Sequence, residues 1–134
     1  MKRKCMIIVF ACVVMLVGAT IVASAGSDFA DGFLGACYVT ASASVSSDGS
    51  TAYAQTTMSL GDTGDIWKAS GTVYWLNEQT SETGTNANGA EGGGPGGGGP
   101  SFSATWPKTY YKITTAHRVT YHGATYTNSF TVYR

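Results

Sequence analysis

The chain is 134 residues long, and only 12% of its residues are charged, with eight basic and eight acidic side chains. Three of the basic residues fall in the first four positions, so the remainder carries five basic and eight acidic side chains, a net charge of −3. The length fits one domain rather than two, and 43% apolar residues with so little charge exclude a highly charged disordered chain. A net acidic chain also lacks the basic face that nucleic-acid binders need.

The first 25 residues have the three parts of a secretory signal peptide. A basic start at residues 2–4 precedes an apolar run over residues 6–17, and Ala23-Ser24-Ala25 has the A-x-A pattern of a cleavage site. We predict a cleaved N-terminal signal helix over residues 1–25 and a secreted, extracellular domain over residues 26–134, of a style typical of bacteria and without a membrane contact after cleavage. A retained membrane anchor is the alternative, because the apolar stretch is close to the minimum spanning length.

The cysteines predict a free thiol in the exported domain. Cys5 and Cys12 lie in the predicted leader, so Cys37 has no partner for an intramolecular disulfide. We expect a small buried residue on a strand. An intermolecular disulfide through Cys37 is the alternative in an oxidising compartment.

Residues 37–76 predict three strands. Residues 37–45 alternate apolar and hydroxylated side chains, Asp48-Gly49 marks a turn, and residues 51–60 return with Val45 opposite Ala52. Residues 66–76 form the third strand, whose uncharged face is expected on the core side. That face contains Trp67, Ala69, Gly71, Val73 and Trp75.

Residues 77–101 predict a flexible glycine-rich loop. The segment contains nine of the 18 glycines of the chain and has no hydrophobic period. Such a composition cannot recover its ordering entropy by burial. We therefore expect that residues 92–99 are dispensable for folding.

The remaining residues predict a short strand over residues 102–106 and a long hairpin. Residues 109–121 and 124–133 alternate around His122-Gly123, which places Tyr121 opposite Ala124. Six strands with one apolar face each predict an all-β fold, a small antiparallel β-sandwich of immunoglobulin-like outline. A partly open β-barrel is the alternative.

His117 and Asn128 face each other on the core side of this hairpin. A general base oriented by an amide is one interpretation, and a core polar pair, hydrogen-bonded locally, is the other and the one we expect. No nucleophile motif accompanies the histidine, so we predict no catalytic residues and no enzyme activity.

The sequence predicts neither a metal site nor a cofactor. His122 lies in a turn five residues from His117, where the two rings diverge. Asp62 and Asp65 lack the denser ligand series of a calcium loop, so an ordinary turn is expected there.

Four tyrosines fall on faces that we expect to point outward: Tyr53, Tyr74, Tyr110 and Tyr133. Exposed aromatic rings can stack on sugars or anchor a protein interface. We predict a secreted, non-enzymatic module that binds an extracellular protein or glycan, or that assembles as a homo-oligomer at the cell exterior. A small secreted antagonist of the bacteriocin or toxin kind is the alternative.

Overall fold

Nine β-strands form the part of the chain that the computed structural model describes, residues 24–134, with side chains from residue 26 onward. They are β1 (Ser24–Leu34), β2 (Cys37–Ser46), β3 (Thr51–Met58), β4 (Ile66–Asn77), β5 (Thr83–Gly93), β6 (Gly96–Gly98), β7 (Ser101–Ser103), β8 (Lys108–Tyr121) and β9 (Ala124–Tyr133). The predicted leader lies outside the described residues, apart from its last two, which begin β1. Within this part of the chain, no helix has the length and apolar character to cross a membrane.

The strands form two antiparallel sheets, which confirms the predicted β-sandwich. The first sheet has the order β1-β2-β3-β6, with β7 also paired to β3, and the second has the order β5-β4-β8-β9. The sheets do not close into a barrel. In the first sheet β1, β2 and β3 are neighbours, whereas an immunoglobulin sheet pairs its second strand with its fifth. The strand order of this sheet therefore differs from that of an immunoglobulin domain.

Both hairpin registers agree with the prediction. Val45 pairs with Ala52 across a turn in which Gly49 has a φ of 70°. In the second sheet, Tyr121 pairs with Ala124 and the register continues without a shift to the far end of the hairpin. The alternation of apolar and polar residues therefore sets the register of both hairpins, although β2 is buried along its whole length and on both faces.

The core lies between the two sheets. Alanines 41 and 43 of β2 are completely covered, and their small side chains let Val73 and Ile113 of the second sheet approach closely. A smaller cluster fills one end of the sandwich and contains Cys37, Val39, Met58 and Val119.

The prediction of a structureless loop over residues 77–101 is wrong, because this segment forms β5 and β6 and enters β7. Its glycines make room for indole rings: a Cβ on Gly84 would overlap the Trp75 ring, and one on Gly92 would lie 2.7 Å from the Trp67 ring. Apolar burial is thus supplied by tryptophans of β4, not by side chains of the segment itself. This is why no hydrophobic period is visible in its sequence.

Candidate functional site

The outward side chains of β4, β5, β8 and β9 form a continuous surface, called here the open face. Pairing of β4 with both β5 and β8, and of β8 with β9, aligns these side chains in rows that cross the four strands. One row is Glu91, Lys68, Arg118 and Thr127, the next is Gly89, Ser70, Ala116 and Ser129, and the last is Thr85, Tyr74, Lys112 and Tyr133. The open face thus has large side chains at both ends and small ones between them.

A groove of about 1000 Å³ lies over the charged and small rows of the open face. A second depression of about 420 Å³ continues it across Ser70, Thr72 and Thr114. The floor is made of glycine, alanine, serine and threonine, so a ligand can lie close to the sheet and meet hydroxyl groups along its length. Concave surfaces with a few polar groups are the usual form of a ligand site.

Cations occupy one end of the groove. Lys68 Nζ lies 3.4 Å from a carboxylate oxygen of Glu91, and both side chains are well exposed. Arg118 is the cross-strand neighbour of Lys68. Within residues 24–134, the Arg118 guanidinium has neither a hydrogen bond nor an ion pair, so it is available to a ligand.

Two tyrosines and a lysine lie on the open face beyond these two depressions, in the row after Thr72 and Thr114. Lys112 Nζ lies 4.1 Å from the centre of the Tyr74 ring and 5.7 Å from that of Tyr133. Tyr133 is 61% exposed. Lys112 and Arg118 are six residues apart on β8, a span of about 20 Å along a strand.

The four predicted tyrosines do not form one site. Tyr74 and Tyr133 come together on the open face, whereas Tyr53 lies on the outer face of the first sheet. The outward placement of Tyr110 is wrong: it is only 3% exposed and packs edge-to-face on Phe102 in the core. A bulge between Tyr74 and Trp75 pairs Trp75 with Tyr110 and reverses the alternation of β8 at this point.

His117 is a buried structural residue. It faces Asn128 in the register, as predicted, but its ring bonds to two threonines: Nδ1 lies 2.8 Å from Thr56 Oγ1, and Nε2 lies 2.8 Å from Thr115 Oγ1. The predicted bond to Asn128 is therefore wrong, and the Asn128 amide donates to the Tyr126 hydroxyl instead.

The hydrogen bonds of Thr56 identify the proton-bearing nitrogen of His117. Thr56 donates its hydroxyl proton to the Lys68 carbonyl oxygen, so it accepts from His117 Nδ1, and the unprotonated Nε2 accepts from Thr115. Burial lowers the pKa of His117 to about 4, which keeps the ring neutral. This chain of hydrogen bonds joins the two sheets beneath the groove, and its histidine is buried.

Asp62, Asp65 and His122 meet although the sequence did not predict it. His122 Nε2 lies 2.8 Å from Asp62 Oδ2 and 3.7 Å from Asp65 Oδ2. The buried Asp65 carboxylate accepts the backbone N–H groups of Asp62 and His122, and these bonds lower its pKa.

Among the described residues, these three are the group whose side chains come close enough to share a metal ion, with ligand atoms within 4.8 Å of one another. Their polar atoms already bond to one another and to the backbone. We therefore assign them a structural role, in which the β3–β4 loop is tied to the β8–β9 turn. The expected turn at Asp62 is present, since Asp65 N donates to Asp62 O.

Cys37 is completely buried on β2, as the sequence predicted, and its thiol lies 3.3 Å from the Leu60 carbonyl oxygen. We expect a bulky maleimide to label the native protein at least about a hundredfold more slowly than the unfolded protein, because labelling requires local opening. Light scattering should give the same mass with and without reductant. Rapid native labelling, or a dimer that reductant dissociates, would contradict this placement.

The comparisons with known proteins give no relative from which a function could be taken. No family model matches the sequence, and no match is found among the curated proteins or the solved structures. The functional argument therefore depends on the geometry of the open face.

Proposed function

We propose that the chain is an exported, non-enzymatic module that binds extracellular glycan through the open face of its second sheet. The observation that carries this proposal is the groove of about 1000 Å³ with a small, hydroxylated floor, on the same face of the sheet as the exposed ring of Tyr133. An exported location is supported by the signal-peptide pattern of residues 1–25.

The composition of the open face favours a sugar chain over an apolar partner. Serine and threonine hydroxyls can exchange hydrogen bonds with sugar hydroxyls, in both directions. Tyrosine rings offer an apolar face for the C–H groups of a sugar and a hydroxyl at the rim. A protein interface of ordinary strength would instead require a central cluster of large buried anchors, and small residues occupy the centre of this groove.

The proposed function is binding alone, without an enzymatic reaction. His117 is among the residues that line the groove, but both of its ring nitrogens bond to Thr56 and Thr115 in the core. It is 2% exposed, so a substrate on the open face does not reach it. Glycan binding requires no reaction of the His117 ring.

Tyr133→Ala and Tyr74→Ala should each weaken glycan binding at least about tenfold, because an aromatic anchor contributes roughly 1–3 kcal/mol. The measurement is affinity electrophoresis of residues 26–134 in gels that contain one soluble polysaccharide each, from a panel of neutral and acidic polymers. Tyr53→Ala is the matched control, since Tyr53 lies on the other sheet and its loss should leave retardation unchanged.

Two results would contradict the proposal. One is wild-type protein that no polysaccharide in the panel retards. The other is retardation that Tyr53→Ala abolishes and Tyr133→Ala does not, which would place the site on the first sheet.

A further inference from the structure

The charges of the domain are distributed unevenly. Residues 26–134 contain five basic and eight acidic side chains. Three of the basic ones, Lys68, Lys112 and Arg118, lie on the open face with a single acid, Glu91. The open face is therefore net positive in a domain whose net charge is −3.

Lys68 and Arg118 are held side by side. They are directly paired across β4 and β8 and project from the same face, which places their Cβ atoms about 5 Å apart. Like charges in this position destabilise a sheet. Glu91 pairs with Lys68 at 3.4 Å, but Arg118 has no acidic partner among the described residues.

Lys112 adds a second cationic point on the open face, beyond the groove. Its contacts are with the rings of Tyr74 and Tyr133, and no carboxylate of residues 24–134 pairs with it. Arg118 and Lys112 are about 20 Å apart. A ligand that satisfies both cations is therefore long, linear and negatively charged, and lies along the strands over the small residues between them.

We propose, on the basis of the glycan-binding function above, that the ligand is an acidic polysaccharide whose uronate carboxylates bind Arg118 and Lys112. The Arg118 guanidinium matches a carboxylate in a two-pronged hydrogen-bonded pair. An anion beside Arg118 also relieves its repulsion from Lys68. Glu91 repels a polymer with several negative charges per sugar, so a chain with one carboxylate per sugar fits the open face better than a heavily sulfated one.

The test compares one polymer with and without its charge. Affinity electrophoresis of residues 26–134 uses polygalacturonate and its fully methyl-esterified form, with alginate, hyaluronan, dextran sulfate and neutral xylan as further probes. We expect retardation by at least one uronate polymer, little by the ester or xylan, and a loss of binding by about tenfold or more in Arg118→Gln. Lys108→Gln is the matched control, because it also removes one positive charge. Lys108 lies outside the open face, with its Nζ over the Trp75 ring.

Each other outcome has a distinct meaning. Equal retardation by polygalacturonate and its ester, unchanged in Arg118→Gln, would overturn the acidic specificity and leave glycan binding in place. Retardation by dextran sulfate and by none of the uronates would overturn the choice of carboxylate. Protein that no polymer retards would overturn both this inference and the proposed function. Equal losses in Arg118→Gln and Lys108→Gln would reduce the effect to net charge and overturn the assignment of Arg118.

Discussion

Gly99→Ala is expected to destabilise the domain by about 3 kcal/mol or more, which is the upper end of the usual cost of overpacking. Gly99 lies between β6 and β7, where the chain runs beside β3. A Cβ at this position would overlap the carbonyl oxygen of Ala54 and lie 2.7 Å from its carbonyl carbon. Both atoms belong to the backbone of a buried strand, so the edge of the first sheet must move.

Thermal unfolding followed by circular dichroism measures this effect. A loss of this size should lower the Tm of residues 26–134 by more than about 10 °C. Gly93→Ala is the matched control from the same segment, because the nearest atom to its Cβ would be Asp65 O at 3.9 Å. We expect this control within about 0.5 kcal/mol of wild type. Equal, small effects of both substitutions would show that the segment is not packed against β3.

Lowering the pH from 7 to 4 should cost the domain roughly 3 kcal/mol through His117 alone. The pKa of His117 is 6.5 when the chain is unfolded and about 4 when it is folded, because burial disfavours the charged ring. Between these values the unfolded state binds a proton that the folded state does not bind. The contribution of His117 to the free energy of unfolding is complete above pH 6.5 and falls as the pH approaches 4. Between the two pKa values, each drop of one pH unit costs about 1.36 kcal/mol.

Urea unfolding at pH 7, 5.5 and 4 tests this dependence. In His117→Gln the side-chain amide can still donate to Thr56 and accept from Thr115, but it does not titrate, so the slope between pH 6.5 and 4 should largely disappear. The pKa values of Asp48 and Asp65 are also lowered, by hydrogen bonds to their carboxylates, but these groups act below about pH 4. A flat wild-type profile, or an equal slope in His117→Gln, would contradict the assignment.

The hairpins were predictable because their information is local. A glycine turn and strict alternation define the pairing of Val45 with Ala52, and the same two signals define the pairing of Tyr121 with Ala124. The face of Tyr110 was not predictable, since it depends on a bulge between two strands far apart in the sequence. Alternation alone cannot show where a bulge interrupts it.

The glycine-rich segment shows a different limit. A strand is normally recognised by its own apolar residues, but β5 and β6 are covered by Trp67 and Trp75 of β4. The large residues and the glycines that accommodate them lie in separate parts of the sequence. Only the pairing of β4 with β5 brings them together.

The candidate site was predictable only in part. Tyr74 and Tyr133 were identified from the sequence as outward aromatic residues. Their alignment with Lys68 and Lys112 depends on the register of β4 against β8, which no turn connects directly. The approach of His122 to Asp62 is likewise a contact between a loop and a distant turn, and no local sequence pattern predicts it.

The most direct test of glycan binding at the open face is an NMR titration of residues 26–134 with soluble oligogalacturonate and, in parallel, neutral xylo-oligosaccharide. The account predicts amide shifts on β4, β5, β8 and β9, strongest beside Arg118 and around Lys112 and Tyr133, and stronger with the acidic oligomer. Shifts concentrated on the outer face of the first sheet around Tyr53, or no shifts with either oligomer, would contradict it.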